Sequence, residues 1–264
     1  MQITSLASGS SGNSFLIRDD GAAIVVDAGL SGKQMVDRLT KAGCDPDRLD
    51  AILVSHGHTD HTKGVGVLSR KFKIPVWANQ GTWSVARKSL GLPHRLDIFE
   101  TGKIFHVAGF KVHPFSVPHD CVDPVGFRIS RGSATIGIAT DLGTATGLVT
   151  NILSGLDVVV LESNHDPRML QDGPYPWELK QRVRSRVGHL SNPDSSKLLQ
   201  RIVSDQLKAV ILAHVSETNN LPELALDCAR ESLRDFLEND GILHCAHQNE
   251  IGPTIHCRAC HGSV

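Results

Sequence analysis

Short apolar runs alternate with turn clusters through the first part of the chain. Residues 2–6, 15–18 and 22–26 read as strands, separated by Ser8-Gly9-Ser10-Ser11-Gly12-Asn13 and Asp19-Asp20-Gly21. Residues 31–42 predict a helix, opened by Ser31 as N-cap and stopped by Gly43. A buried strand at 51–55, a helix at 63–72, a strand at 75–78 and a helix at 82–90 follow. Between 98 and 138 the pattern turns to strands, clearest at 110–117, 124–130 and 135–139. Helical patterns return at 145–153, 176–186, 193–206 and 222–239, interleaved with strands at 158–161, 210–213 and 242–246. In the last helix Leu226, Leu233 and Leu237 fall on one face. The segment 167–177, with Gly173, Pro174, Tyr175 and Pro176, predicts an irregular loop. Strands in both halves, with helices between them and no repeat or linker, predict two packed sheets with helices outside. The expected organisation is a single domain over 1–250 and a tail over 251–264 of no assigned structure.

Composition narrows the class. Of 264 residues, 40% are apolar and 21% charged, as in ordinary globular proteins. Lys plus Arg is 27 against 28 for Asp plus Glu, a net charge of −1. That excludes binding to nucleic acid through a wholesale basic surface and leaves room for a local basic groove. No apolar run approaches the roughly 18 residues of a membrane span, and the first residues lack the basic and apolar regions of a signal peptide. A cytoplasmic protein with no membrane partner is expected, its six cysteines kept reduced; composition sets no oligomeric state. Histidine is over-used, with 14 copies against 8 Phe, 3 Trp and 1 Tyr.

The densest chemical signal is Ser55-His56-Gly57-His58-Thr59-Asp60-His61, directly after the apolar run at 51–54. On extended backbone His56 and His58 point the same way and can share one cation. Asp60 and His61, after the chain turns, can serve a second beside it, and Gly57 lets the backbone approach closely. Four ligand-type residues in six positions at a strand end are hard to read as a solvated loop.

His-x-His-x-Asp-His after an apolar strand resembles the signature of the metallo-β-lactamase-fold superfamily, whose α/β fold is an αββα four-layer sandwich. The resemblance implies further ligands at later strand ends: His119 in Val117-Pro118-His119-Asp120, Asp141 in Ala139-Thr140-Asp141-Leu142-Gly143, and His214 in Leu212-Ala213-His214-Val215-Ser216. His113 stands close enough to be the third histidine instead. The implied assignment puts His56, His58, His119 and Asp141 on one metal and Asp60, His61, Asp141 and His214 on another. A bridging carboxylate holds two cations about 3.5–4 Å apart, and such a pair lowers the pKa of a shared water to give a bridging hydroxide nucleophile. Two divalent ions are therefore expected; ligands without thiolate suit zinc or manganese, and admit iron.

Several readings of the substrate stand. Lys180, Arg182, Arg184 and Arg186 precede Gly188-His189-Leu190-Ser191-Asn192-Pro193. Alternate charges spread around a helix and can be a solvated face. Yet Ser191 or Asn192 suits an N-cap and Pro193 the first helical turn, so His189 stands before a helix N-terminus, where anions are favoured. Such a histidine can bind phosphate or protonate a leaving oxygen. Arg182, Arg184, Ser191 and Asn192 are the phosphate-binding candidates, Asp60 and His189 the catalytic ones, and His165 a support behind them. Tyr175 and Trp177 either stack on bases or pack within their loop. The 8–14 loop either lines the cleft or simply joins two strands.

The set Leu6-Ala7-Ser8-Gly9-Ser10-Ser11-Gly12-Asn13-Ser14, His119-Asp120 with Asp123-Pro124-Val125-Gly126-Phe127, Glu162-Ser163-Asn164-His165-Asp166, Gly188-His189-Leu190-Ser191-Asn192 and His214-Val215-Ser216-Glu217-Thr218-Asn219-Asn220 resembles the YycJ (WalJ) exonuclease branch of the superfamily. That resemblance implies a cytoplasmic metal-dependent 5′→3′ DNA exonuclease, acting on DNA ends and linked to DNA repair. The alternatives are a thioester or lactone hydrolase with the same metal core and a non-catalytic nucleic-acid-binding relative. At the end of the chain, Cys257-Arg258-Ala259-Cys260-His261 has the Cys-x-x-Cys-His form of a haem attachment site. A small zinc site or a flexible tail reads better there, and the motif lies outside the family pattern.

Overall fold

A computed structural model describes residues 1–236 and 240–257. Two mixed seven-stranded sheets lie face to face among the described residues, with helices on both outer faces. One runs Thr254–His256, Gln2–Ala7, Ser14–Asp19, Ala22–Val26, Ala51–Leu53, Pro75–Asn79, Arg95–Phe99; the other runs Leu243–Cys245, Ala209–Ala213, Val158–Glu162, Ala134–Ala139, Val125–Arg131, Phe110–Ser116, Phe105–Val107. This is the expected four-layer sandwich.

The strand sequences explain why four layers form. Both faces of the central strands are buried, so they read as apolar runs rather than as strict alternation. Phe15, Ile17, Ile24, Val26 and Leu53 point between the sheets, where they meet Phe110, Phe127, Ile136, Val158, Val160 and Ile211. Their neighbours Leu16, Val25 and Ile52 face outward, onto Met35, Leu39, Val65 and Leu68 of the helices. On the far side Val159, Leu161, Val210 and Leu212 pack against Leu153, Leu198, Leu199 and Leu233.

The helix Gly32–Lys41 is closed at its start by a reciprocal Ser31–Gln34 capping box, and Gly43 ends it at φ 70°. The expected helix at 63–72 forms as Val65–Phe72, preceded by a separate single-turn helix at Thr59–Thr62. Residues expected as irregular loop form the helix Pro167–Asp172, because Asp166 caps it by accepting from the Arg168 and Met169 amides. The helix Pro222–Leu233 buries Ala225, Ala229 and Leu233, so Leu226 is only partly covered, and Leu237 lies outside the described residues. Within the segment expected as a tail, Thr254–His256 pairs with Gln2–Thr4 and Cys257 is fully buried in the inter-sheet core. Burial pushes the Cys257 thiol up to about 11; Cys260 and His261, the other members of the candidate zinc site, lie outside the described residues. The five described cysteines Cys44, Cys121, Cys228, Cys245 and Cys257 are free.

Candidate dinuclear metal centre

The site sits where parallel strands of both sheets end together. Asp27 follows Ala22–Val26, His56 follows Ala51–Leu53, Asp141 follows Ala134–Ala139 and His214 follows Ala209–Ala213. Asp27, Asp141 and His214 hold left-handed backbone, at φ 59°, 55° and 53°. That conformation costs a non-glycine residue about 1–3 kcal/mol, and it persists where the surroundings over-determine it. Here each such residue is the point at which a buried strand turns into the cleft. Gly29 allows the close approach that completes the first wall: a Cβ there would lie 1.6 Å from the Asp60 carbonyl oxygen. The Asn13 amide donates to that same oxygen at 2.8 Å, and the Ala28 amide to the His61 carbonyl at 2.9 Å.

All seven ligand candidates converge. Ligand atoms of His56, His58 and His119 lie within 4.8 Å of one another, as do those of Asp60, His61, Asp141 and His214. Asp141 faces both groups: Oδ1 is 3.7 Å from His119 Nε2, and Oδ2 is 3.0 Å from His61 Nε2. His113 lies within Phe110–Ser116 and belongs to neither group, whereas His119 clusters with His56 and His58.

Hydrogen bonds fix which ring nitrogen is free. His61 Nδ1 donates to Asp27 Oδ2 at 2.8 Å, His119 Nδ1 to the Gly188 carbonyl at 3.2 Å, and His214 Nδ1 to Glu162 Oε1 at 2.7 Å. Each leaves Nε2 as a lone pair turned into the cleft, the second-layer arrangement of ligating histidines. His61 Nε2 then faces an Asp141 carboxylate oxygen, acceptor against acceptor, which needs a cation or a proton between them. Without a metal the proton answer applies. Burial opposes charge on His61, but Asp141, Asp27 and Asp60 hold it well above the ordinary histidine range. Burial would raise Asp141, but His214 and His61 hold it well below the carboxylate range. His56 Nε2 and His214 Nε2 are buried with no hydrogen-bond partner. Two divalent cations fit this donor set of imidazoles and carboxylates.

Glu162 is a functional residue that the sequence reading passed over, although its motif was singled out. It is fully buried at the end of Val158–Glu162, and parallel register sets it beside Ala213, one residue before His214. Oε1 accepts from His214 Nδ1 and, at 2.8 Å, from His189 Nδ1; Oε2 accepts from the amides of Leu142 (2.8 Å) and Leu190 (3.1 Å). Burial alone would raise its pKa, but His189 and His214 bring it down to about 2. In turn, burial disfavours charge on His189 while Glu162 more than offsets it and raises that pKa. Asp27 is the second such residue: it accepts from the Ser55 amide (2.8 Å), Ser55 Oγ (2.7 Å) and His61. Its only signal in the sequence is a carboxylate ending an apolar run.

The substrate-side candidates divide. His58, Asp60, His119, Asp141, His189, His214, Asp120 and Arg182 line one pocket of about 160 Å³, with Ser10 from the 8–14 loop. Arg182 Nε is bonded to Asp120 Oδ2. Ser191 and Asn192 are not in this pocket, contrary to expectation. Ser191 caps the helix Asn192–Ile202 through the Asp194 amide, and Asn192 is buried between Ser163 Oγ and the Asn220 side chain, 2.8 Å from each. The helix N-terminus is thus satisfied from within. Arg184 points away from the pocket, with its guanidinium 6.0 Å from the ring centre of Trp177, which is 64% exposed rather than packed in its loop. His165 is buried outside the pocket; its backbone carbonyl accepts from the Asn192 amide, and burial brings its pKa down to about 4. No helix of the described residues is long and apolar enough to cross a membrane.

The fold and this site define a class: the chain belongs to the metallo-beta-lactamase superfamily, whose family model matches residues 7–164. Within it, the chain is 39% identical over 224 residues to exodeoxyribonuclease WalJ of Streptococcus pneumoniae, covering 83% of each chain. It is 37% identical over 239 residues to exodeoxyribonuclease YycJ of Bacillus anthracis, covering 90% of this chain and 89% of that one. Among solved structures, the metallo-beta-lactamase fold protein YhfI from Bacillus subtilis superposes with a TM-score of 0.72 at 15% identity, over 96% of this chain and 99% of that one, a likeness of fold.

Proposed function

We propose that this protein is a metal-dependent hydrolase of nucleic-acid phosphodiesters, a 5′→3′ exonuclease acting on DNA ends. The observation that carries the reading is the pocket's size and lining. A site that engulfs a small-molecule substrate usually offers about 300–1,000 Å³, against about 160 Å³ here. That is room for a reacting phosphodiester group, with the rest of the substrate outside. The 39% and 37% identities to exodeoxyribonucleases support DNA as the polymer.

His56, His58, His119 and Asp141 would hold one cation, and Asp60, His61, Asp141 and His214 the other, as zinc or manganese with iron also suited to the donors. When bound, two such ions supply Lewis acidity and water activation at neutral pH. The chain's own residues do the rest. Arg182 keeps its terminal guanidinium nitrogens for a phosphate oxygen while Asp120 holds its Nε. Glu162 fixes the Nδ1 proton of His189 and favours the imidazolium, so the Nε2 proton is available for a leaving oxygen. The free thiols suit a reducing cytoplasm, and degradation from DNA ends suits a role in DNA repair.

End-labelled linear duplex DNA, incubated with protein reconstituted with Mn²⁺ or Zn²⁺, tests the reading. Progressive loss from the 5′ end is expected, absent in Asp60→Ala and sharply reduced in His189→Ala. Wild type inert on DNA while holding two metals would sink it. A thioester or lactone hydrolase with the same core would be indifferent to Arg182→Ala and His189→Ala, and a non-catalytic binding relative would keep its DNA affinity without the ligands.

A further inference from the structure

A second cavity, of about 340 Å³, lies behind the wall of the metal pocket. Arg184, Arg186, Lys197 and Arg201 line it together with Gly143, Thr144 and Ala145. The wall is one tight turn. Its amides bond inward, Ser185 to the Arg182 carbonyl, Gly188 to Ser185 and His189 to Val183. Thr144 Oγ1 ties it to the loop after Asp141 by donating to the Arg186 carbonyl at 3.1 Å. Gly143 makes that contact possible, since a Cβ there would sit 2.5 Å from the Arg186 carbonyl group. The same two segments therefore serve both cavities: Asp141, Arg182 and Gly188 face the metal pocket, while Gly143, Arg184 and Arg186 face the groove.

The charge in this groove is not neutralised from within. Among the described residues Arg184, Arg186 and Arg201 have no carboxylate partner, and all are exposed. Asp194, the one carboxylate in the lining, already accepts from Ser191 Oγ at 2.7 Å and Lys197 Nζ at 3.0 Å. Three uncompensated guanidinium groups around one concavity make a local positive patch that attracts anions, in a chain whose net charge is −1. Guanidinium groups present planar pairs of donors that match phosphate oxygens.

We propose that this groove holds backbone phosphates of the DNA strand beyond the linkage that reacts, so that a long strand is gripped at two places. The inference rests on the nuclease reading and deepens it. One strand carries a phosphate about every 3.4 Å of duplex axis, and the two cavities share the 182–188 turn as a common wall, so neighbouring phosphates of one strand are the natural occupants of the second. The groove would then govern affinity for polymer and leave the chemistry of an isolated phosphodiester untouched.

Arg186→Gln/Arg201→Gln tests this, since among the described residues neither side chain has a hydrogen bond or ion pair holding the fold. Three readouts are compared with wild type: hydrolysis of bis(p-nitrophenyl) phosphate, KM for long end-labelled duplex DNA, and the salt dependence of binding to a duplex with nuclease-resistant phosphorothioate ends. The small diester should be hydrolysed at the wild-type rate. KM for DNA should rise about tenfold or more, and the log–log salt slope should fall by about 1.8, as expected for two lost phosphate contacts on a duplex. If wild type degrades DNA and the variant matches it in KM and salt slope, the groove proposal is overturned and the nuclease reading stands. If wild type hydrolyses the small diester yet neither binds nor degrades DNA, both fall.

Discussion

Glu162→Gln removes a charge and one acceptor from the centre of the site while keeping the side chain's shape. Oε2 sits against two amide donors, Leu142 and Leu190, a position that only an oxygen can fill. The new amide nitrogen is therefore placed between His189 and His214, where Oε1 now accepts from both. An amide NH₂ can only donate, so both imidazoles must give up Nδ1–H and carry their proton on Nε2. For His214 that nitrogen faces Asp60 Oδ2, 3.6 Å away, within the ligand cluster, and a proton there competes with a cation. For His189 the counter-charge that favoured the imidazolium is gone. Losing the partner of a ligating histidine costs about 10–100-fold in metal affinity, or about 1.4–2.7 kcal/mol. Losing a positioned proton donor costs about 10²–10⁴ in rate. Calorimetric titration with Mn²⁺ should show the second equivalent weakened by one to two decades, about what the tautomer change implies. Single-turnover degradation of DNA at saturating metal should be slower by about 10² or more. A variant that melts like wild type, binds both metals as tightly and degrades DNA at an unchanged rate would refute the tautomer argument outright.

Asp27→Asn should act on the other half of the centre: His61 loses the carboxylate that fixes its Nδ1 proton, and metal affinity should drop about 10–100-fold, read by mass spectrometry of the dialysed protein. Chelation should lower the melting temperature reversibly, because ions that bind only the folded chain stabilise it by about 2.7 kcal/mol at one hundred times Kd; an unchanged melt after complete metal removal would count against the ligand set. His165 makes stability depend on pH. Burial lowers its pKa from 6.5 to about 4. Above pH 6.5 the ring is neutral folded and unfolded; below it the unfolded chain takes up a proton that the buried ring refuses until about pH 4. Stability is therefore lost as pH falls through that window, by about 2–3 kcal/mol at pH 4.5. Denaturant unfolding of wild type and His165→Gln at pH 7 and 4.5 should show wild type losing more by that amount, and equal losses would contradict it.

What could be read from the sequence follows a physical division. Residues that meet a metal come at strand ends, in clusters dense enough to stand out, and His56, His58, Asp60 and His61 within six positions needed no fold to be noticed. Residues that orient those ligands act across strands, so their role is set by register and not by spacing. Glu162 reaches His214 because Val158–Glu162 and Ala209–Ala213 run parallel with Glu162 opposite Ala213, a relation between positions 51 apart that no local pattern records. Asp27 reaches Ser55 and His61 in the same manner, from Ala22–Val26 to the neighbouring Ala51–Leu53. The misplacement of Ser191 and Asn192 has the converse cause. A capping side chain looks, in sequence, like a group free to bind phosphate, but the helix's own Asp194 amide and the buried Asn220 claim it first. Local sequence thus identifies the donors that a cation needs, while the choice of tautomer, and with it whether those donors can bind at all, is made by acceptors that only the packed sheets bring into place: Asp27 for His61, Glu162 for His214 and the Gly188 carbonyl for His119. Conservative changes at Glu162 and Asp27 should therefore injure the centre almost as deeply as changes to the ligands themselves.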